Sequence, residues 1–170
     1  MHGAAPLTVL ETVSGPKQAR SERTLYRLLD AAEALIVEQG LAGLSSPEVV
    51  RRAGSSVGGF YARFRDKNEL LRALEERFFL EVQSHLDALA DERRWESAPV
   101  RDFVAAAVDE LVTVTEARRA LIKVFMFRAT VDAQTRDDAV RFRNRAAERI
   151  AAVLVGKSPG FTGPEPVLAI

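Results

Sequence analysis

The 170-residue chain contains no cysteine. That excludes disulfides and thiolate metal sites, and it suits a reducing compartment. Histidine is almost as scarce: His2 and His85 are the two present, too far apart in sequence to form a local metal motif. No metal and no cofactor are expected. Long apolar runs are missing too, and nothing approaches the roughly 20 residues of a spanning helix. Residues 1–16 lack the charged start and apolar run of a signal peptide. The expectation is a cytoplasmic protein without a membrane partner. Nor is there an excess of one charge, with 24 Lys and Arg against 24 Asp and Glu. An enzyme would need a convergent nucleophile or acid/base set. One internal histidine and carboxylates scattered on helix faces do not supply one, so no enzyme is expected.

What is present is a soluble composition, 47% hydrophobic and 28% charged, with enough length for one good core or two small modules sharing one. The balanced charge is unevenly spread. Residues 17–72 hold ten Lys and Arg against seven Asp and Glu, and the remainder 14 against 17. Either this is chance or a polyanion meets the first part.

Residues 1–20 read as a flexible arm broken by Gly3, Pro6, Gly15 and Pro16. From Ser21 the pattern turns helical, with Leu25, Leu28, Leu29, Ala32, Leu35 and Ile36 on one face and Gly40 ending the run. Ser45 with Glu48 forms a candidate capping box for a second helix, Pro47 to Ala53. A longer helix is expected from Lys67 to Ala90, with Leu70, Leu71, Leu74, Phe78, Val82, Leu86 and Leu89 inward. "DERRWESAP" reads as a break with Ser97 as a candidate cap. Val100 to Thr115 follows, with Phe103, Val104, Ala107, Val108 and Leu111 as its apolar face. "ALIKVFMFRATV" (120–131) has the all-round apolar character of a central buried helix. Thr135 to Val155 is amphipathic again, with Val140, Ala147, Ile150 and Leu154 inward. No strand signal survives, and the fold class is all-α.

The stretch "GSSVGGFYARF" (54–64) admits a hairpin turning at Gly58 and Gly59, or a short helix with a bare face. The hairpin needs an alternating strand before the glycines, and "EVVRRAGSSV" has none. Ser56 is a good N-cap for a helix from Val57 to Ala62. Two short helices around Gly54 and Ser55 make a helix-turn-helix. Each glycine costs about 1 kcal/mol of helix propensity relative to alanine. Close approach of backbone to DNA offsets that cost; packing between helices is the alternative reading. Phe60 and Phe64 read as core.

"GLAGLSSPEVVRRAGSSVGGFYARFRDKNELL" resembles the DNA-binding module of TetR/AcrR-type transcriptional regulators. The family's pattern is filled by Gly40, Ser45, Val49, Val50, Ala53, Gly54, Ser56, Gly58, Phe60, Tyr61, Phe64, Lys67 and Leu70. Ser55 departs from it, standing where a small apolar residue is usual. The similarity begins at Ser21, and the helical layout extends it to residue 155. It implies an arm (1–20), a helix-turn-helix domain (21–66) and a helical effector-binding and dimerisation domain (67–170). It also implies a DNA-contacting set of Ser45, Ser46, Ser55, Ser56, Val57, Gly58, Gly59, Tyr61, Arg63 and Lys67. Within that set Tyr61 and Arg63 face phosphates, and Lys67 does so beside the free N–H groups of a helix start. Val57 can touch a thymine methyl. Lys17, Arg20 and Arg23 either reach a neighbouring groove or form a solvated tail.

The implied partners are double-stranded operator DNA, a small-molecule effector and a second copy of the chain, and the implied activity is repression. Candidate ligand contacts are Phe79, His85, Trp95, Phe103, Phe125, Met126 and Phe127, a set that suits an apolar or aromatic effector. Similar proteins carry two further helices for dimerisation. Here the amphipathic pattern stops near Val155 and a new helix is expected after Pro164, so the reading is of a chain whose dimerisation domain is incomplete.

Overall fold

A computed structural model describes residues 16–157, with backbone only over 16–20. The breakers before Pro16, His2 and the helix expected after Pro164 lie outside the described residues, as do the side chains of Lys17 and Arg20. Every regular element among the described residues is an α-helix. In order they are α1 (Pro16–Gly43), α2 (Ser46–Arg52), α3 (Val57–Tyr61), α4 (Lys67–Leu89), α5 (Glu92–Trp95), α6 (Val100–Ala117), α7 (Arg119–Val131) and α8 (Ala133–Lys157). The chain divides into two compact units within α4, between Glu76 and Arg77.

In the N-terminal unit, α1 begins at Pro16 rather than Ser21, so the expected arm is already helical over its last residues. Proline suits a first helical position, where no intrahelical acceptor awaits its missing N–H. Gly40 breaks the helix as its position suggests: φ is +69° there, a conformation glycine adopts at little cost. The α1 stripe of Leu28, Leu29, Ala32, Leu35 and Ile36 is buried with Val49 of α2, Phe60 of α3 and Leu70, Leu71 and Leu74 of α4. Phe64 completes this core beside Phe60, ring centroids 5.5 Å apart.

The capping box expected for α2 is not made. Ser45 is the N-cap residue, but its side chain makes no capping bond. Pro47 removes one of the two N–H groups a cap can reach, and Glu48 pairs with Arg51 instead of reaching back.

In the C-terminal unit, Leu89, Trp95, Phe103 and Val153 form a buried cluster. Trp95 stands edge-on to Phe103 with centroids 5.2 Å apart, and its indole N–H donates to the Leu89 carbonyl at 2.5 Å. Lys157 donates to the carbonyls of Trp95 and Ala98. The expected break between α4 and α6 contains the short α5, capped by Asp91, whose carboxylate accepts from the Arg93 N–H. Pro99, not Ser97, occupies the N-cap position of α6.

Three expectations about burial are corrected. Val104, Val108 and Leu111 on α6 are exposed, and so is Val112 beside them. α7 buries Leu121, Val124, Phe125 and Arg128 but exposes Met126, Phe127 and Val131, so it is two-sided rather than buried all round. Ala147 of α8 is exposed, and Thr135 and Val153 are the residues buried in that stretch. Composition marks a side chain as apolar without saying whether its own chain covers it.

Candidate nucleic-acid interface

The helix-turn-helix is built from the turn outward. Gly54 has φ +56°, which lets the chain reverse between α2 and α3 without the strain a side chain would bring. Ser56 then caps α3, its hydroxyl accepting from the Gly59 N–H at 2.9 Å. Phe60 is fully buried and pins the helix by one side chain, while Val57 at 60% and Tyr61 at 56% exposure point outward. Tyr61 keeps its ring edge against Phe60, centroids 5.3 Å apart.

The two glycines differ. A methyl at Gly58 would meet nothing within 4 Å, whereas one at Gly59 would lie 2.9 Å from Ser55 Oγ and 3.1 Å from the capping Ser56 Oγ. Internal packing therefore bears on Gly59, where a side chain would have to displace the Ser55 hydroxyl. It does not account for Gly58, whose bare position faces open space.

Around α3, Ser45 is exposed, and Ser46 and Ser55 are half-buried. Ser55 joins Ser56, Gly59, Ser21, Thr24, Arg27, Gly54 and Arg63 in lining an open cleft of about 350 Å³. Ser21, Thr24 and Arg27 were not singled out from sequence. Their spacing of three along α1 was the available signal.

Arg63 does not extend outward as expected. It is half-buried, with Nη1 donating to the Gly59 carbonyl at 2.8 Å and Nη2 to the Ser21 carbonyl and hydroxyl at 3.0 and 2.9 Å.

The start of α4 differs from expectation as well. Lys67 is exposed, but the nearby N–H groups are taken: Asp66 Oδ1 accepts from Asn68 at 2.7 Å and from Glu69 at 2.9 Å. Glu69 accepts from the Arg65 N–H at 2.6 Å. Asp66 three residues before Glu69 is a capping pattern legible in the sequence. Lys67 thus offers a cation beside two N–H groups that Asp66 already occupies.

Local ion pairs hold several carboxylates below their usual range. The Arg52 guanidinium lowers Glu38, and Arg51 lowers Glu48, chiefly through side-chain hydrogen bonds. Backbone N–H groups do so for Asp66 and Glu69, from Glu69 and Arg65 respectively. These acids stay ionised in place, each bound to a neighbour on its own surface.

The residues expected to line an effector site, all in the C-terminal unit, are dispersed. Trp95 and Phe103 belong to one buried cluster. Phe125 packs on Phe78 with centroids 5.5 Å apart, and Phe79 stacks on Phe142 at 4.7 Å. His85 is exposed, its Nδ1 2.5 Å from Glu110 Oε1. Met126 and Phe127 are exposed on α7. Among the described residues no group of His, Asp and Glu can hold a metal ion, and no helix is long and apolar enough to cross a membrane.

Comparison with known proteins gives a consistent result. Residues 28–74 match the family model for bacterial regulatory proteins of the tetR family. An uncharacterized HTH-type transcriptional regulator of Bacillus subtilis, YvdT, is 30% identical over 109 residues, 63% of this chain and 52% of that protein. The HTH-type transcriptional regulator SrpR of Pseudomonas putida is 34% identical over 84 residues, 48% of this chain and 39% of its own. The chain thus spans about half the length of these curated relatives. A crystal structure of a transcriptional regulator of the TerR/AcrR family from Aquifex aeolicus superposes with a TM-score of 0.58 at 23% identity, covering 80% of this chain and 74% of the other. That likeness establishes the fold.

Proposed function

We propose that this chain is a TetR-type regulator, on the family match over residues 28–74 and the likeness to HTH-type regulators, and that it binds double-stranded operator DNA as a homodimer and represses transcription until a small apolar or aromatic ligand releases it. A regulator of this type works by binding and not by catalysis.

One observation carries the DNA-binding reading. Gly58 leaves a bare face on a five-residue helix, and exposed Val57 and Tyr61 flank it while Phe60 anchors it from behind. A recognition helix must bring its first residues to base edges in a groove about 12 Å wide. A backbone without side chains at that point can approach most closely. Val57 then meets a base edge, and Ser45, Tyr61 and Lys67 meet phosphates, which position the protein without specifying sequence.

The dimer reading is supported by geometry and by surface. Two helix-turn-helix heads normally engage half-sites about 34 Å apart, and α6 exposes Val104, Val108, Leu111 and Val112 along one face. The ligand reading rests on the family and on the aromatic content of the C-terminal unit. The cytoplasm is where such a protein would meet its operator.

Fluorescence anisotropy on duplex DNA from beside its own gene, with random duplex as control, tests the proposal. Selective binding should weaken roughly 10³-fold or more between about 50 and about 200 mM salt if six phosphates are contacted. Tyr61→Phe and Lys67→Ala should each weaken it at unchanged helicity. Equal, weak binding to both duplexes would count against operator recognition.

A further inference from the structure

We propose that Arg63 is a positioning residue: it straps the end of α3 to α1 and so fixes the angle at which the recognition helix is presented. The assignment rests on the DNA-binding reading of α3 given above, but the strap itself can be tested without DNA.

The argument starts from how little holds α3. It has five residues, two of them glycine, far below the length at which a helix is stable alone. Phe60 sets its depth in the core. Phe64, just beyond the helix, is buried beside it, and an attachment away from these two rings fixes the pitch of α3 against α1.

Arg63 is placed to be that attachment. After α3 the backbone N–H of Ala62 goes to the Gly58 carbonyl, and those of Arg63 and Phe64 both go to Phe60. The intervening Gly59 carbonyl is met by Arg63 Nη1 at 2.8 Å. The other arm of the guanidinium crosses to α1, where Nη2 reaches the carbonyl and hydroxyl of Ser21, 42 residues earlier in the chain. One rigid planar fork therefore joins the C-terminal turn of α3 to α1. Lysine could not reproduce this, because its ammonium is a single point on a flexible stem.

The surroundings agree with a structural attachment. Arg63 is half-buried beside the cleft between α1 and the α2–α3 turn, and its Nε is buried with no hydrogen-bond partner. Both terminal nitrogens are engaged within the protein.

Arg63→Met keeps the stem and removes the donors; Arg63→Lys keeps the charge and removes the fork. Ser21→Ala deletes one acceptor with little risk to folding. All three are made in the full chain and compared where circular dichroism shows each fully folded. By hydrogen exchange, amides of residues 21–25 and 57–64 should open about tenfold faster in Arg63→Met, a change equivalent to about 1.4 kcal/mol. Arg63→Lys should not restore protection, and Ser21→Ala should show a smaller change in the same direction. On duplex DNA, Arg63→Met should lose about tenfold in affinity with the same slope of log affinity against log salt. A slope shallower by about 0.9 would show a phosphate contact instead and overturn the proposal. Unchanged exchange overturns the strap, and faster exchange with unchanged affinity overturns its role in presenting α3. If the wild-type chain binds no duplex, the functional reading fails, while the exchange measurement still decides the strap.

Discussion

Glu38 of α1 and Arg52 of α2 face each other through two hydrogen bonds, Nη1 to Oε2 at 2.6 Å and Nη2 to Oε1 at 2.5 Å. The pair lies at the surface, joins the two helices that carry the turn, and depends on an ionised carboxylate. Folding lowers the pKa of Glu38, as it does for Glu48, Asp66 and Glu69 in the same unit. The unfolded chain then binds more protons than the folded one in the acid range, so stability rises with pH there. This contribution is complete above the ordinary values of 4.5 for the glutamates and 3.8 for Asp66. It is lost as pH falls through the lowered folded values. Thermal unfolding between pH 7 and pH 3 should show a decline below about pH 4.5, and Glu38→Gln should make that decline shallower. A wild-type melting temperature flat across this range would refute the linkage.

Gly58→Ala separates stability from binding. The added methyl meets no protein atom, and alanine gains about 1 kcal/mol of helix propensity over glycine. The variant should melt at or above the wild-type temperature, yet bind duplex DNA at least about tenfold more weakly. Anisotropy beside a thermal melt decides it, and undiminished binding would remove the reason given for this glycine.

Gly59→Ala should behave in the opposite way. Its methyl would press on Ser55 Oγ and on the Ser56 Oγ that caps α3. Losing a serine cap costs about 1 kcal/mol. Ser56→Ala and Gly59→Ala both sacrifice that one bond, so the double variant should lose less than the sum of the two singles. A double-mutant cycle on denaturant midpoints measures the difference, and strict additivity would show that the methyl leaves the cap intact.

Phe103→Ala should cost about 3–5 kcal/mol, because Phe103 is fully buried against Trp95. Trp95 is the chain's one tryptophan, so its fluorescence should shift to the red as water reaches the indole. A change confined to stability, with no spectral shift, would mean that the cluster closes over the gap.

Much of this was legible in the sequence. The α1 stripe from Leu28 to Ile36, the Ser56 cap and the turn glycine at position 54 follow from local rules of spacing and capping, and the structure keeps each. The failures have physical causes. The inward turn of Arg63 depends on Ser21, which no local pattern connects to it. The Ser45 box lost to a competitor equally permitted by spacing, since Arg51 sits three residues after Glu48 just as Glu48 sits three after Ser45. Met126 and Phe127 carry the same apolar character as buried Val124 and Phe125. Only the packing of α7 against its neighbours distinguishes them. Asp66 before Glu69 was readable as a cap, and it changes what Lys67 has around it.

The contrast between neighbouring glycines has a consequence for how such a protein can change its target. Position 59 is tied to its surroundings, because a side chain there must displace the Ser55 hydroxyl and crowd the Ser56 hydroxyl that caps α3. Position 58 carries no such tie. A longer side chain can be introduced there by mutation without disturbing the core, and it would project from the start of α3. With α3 in the groove as proposed, the same scaffold can acquire a new operator preference in a single substitution, surrendering affinity for the old site while leaving the folded protein intact.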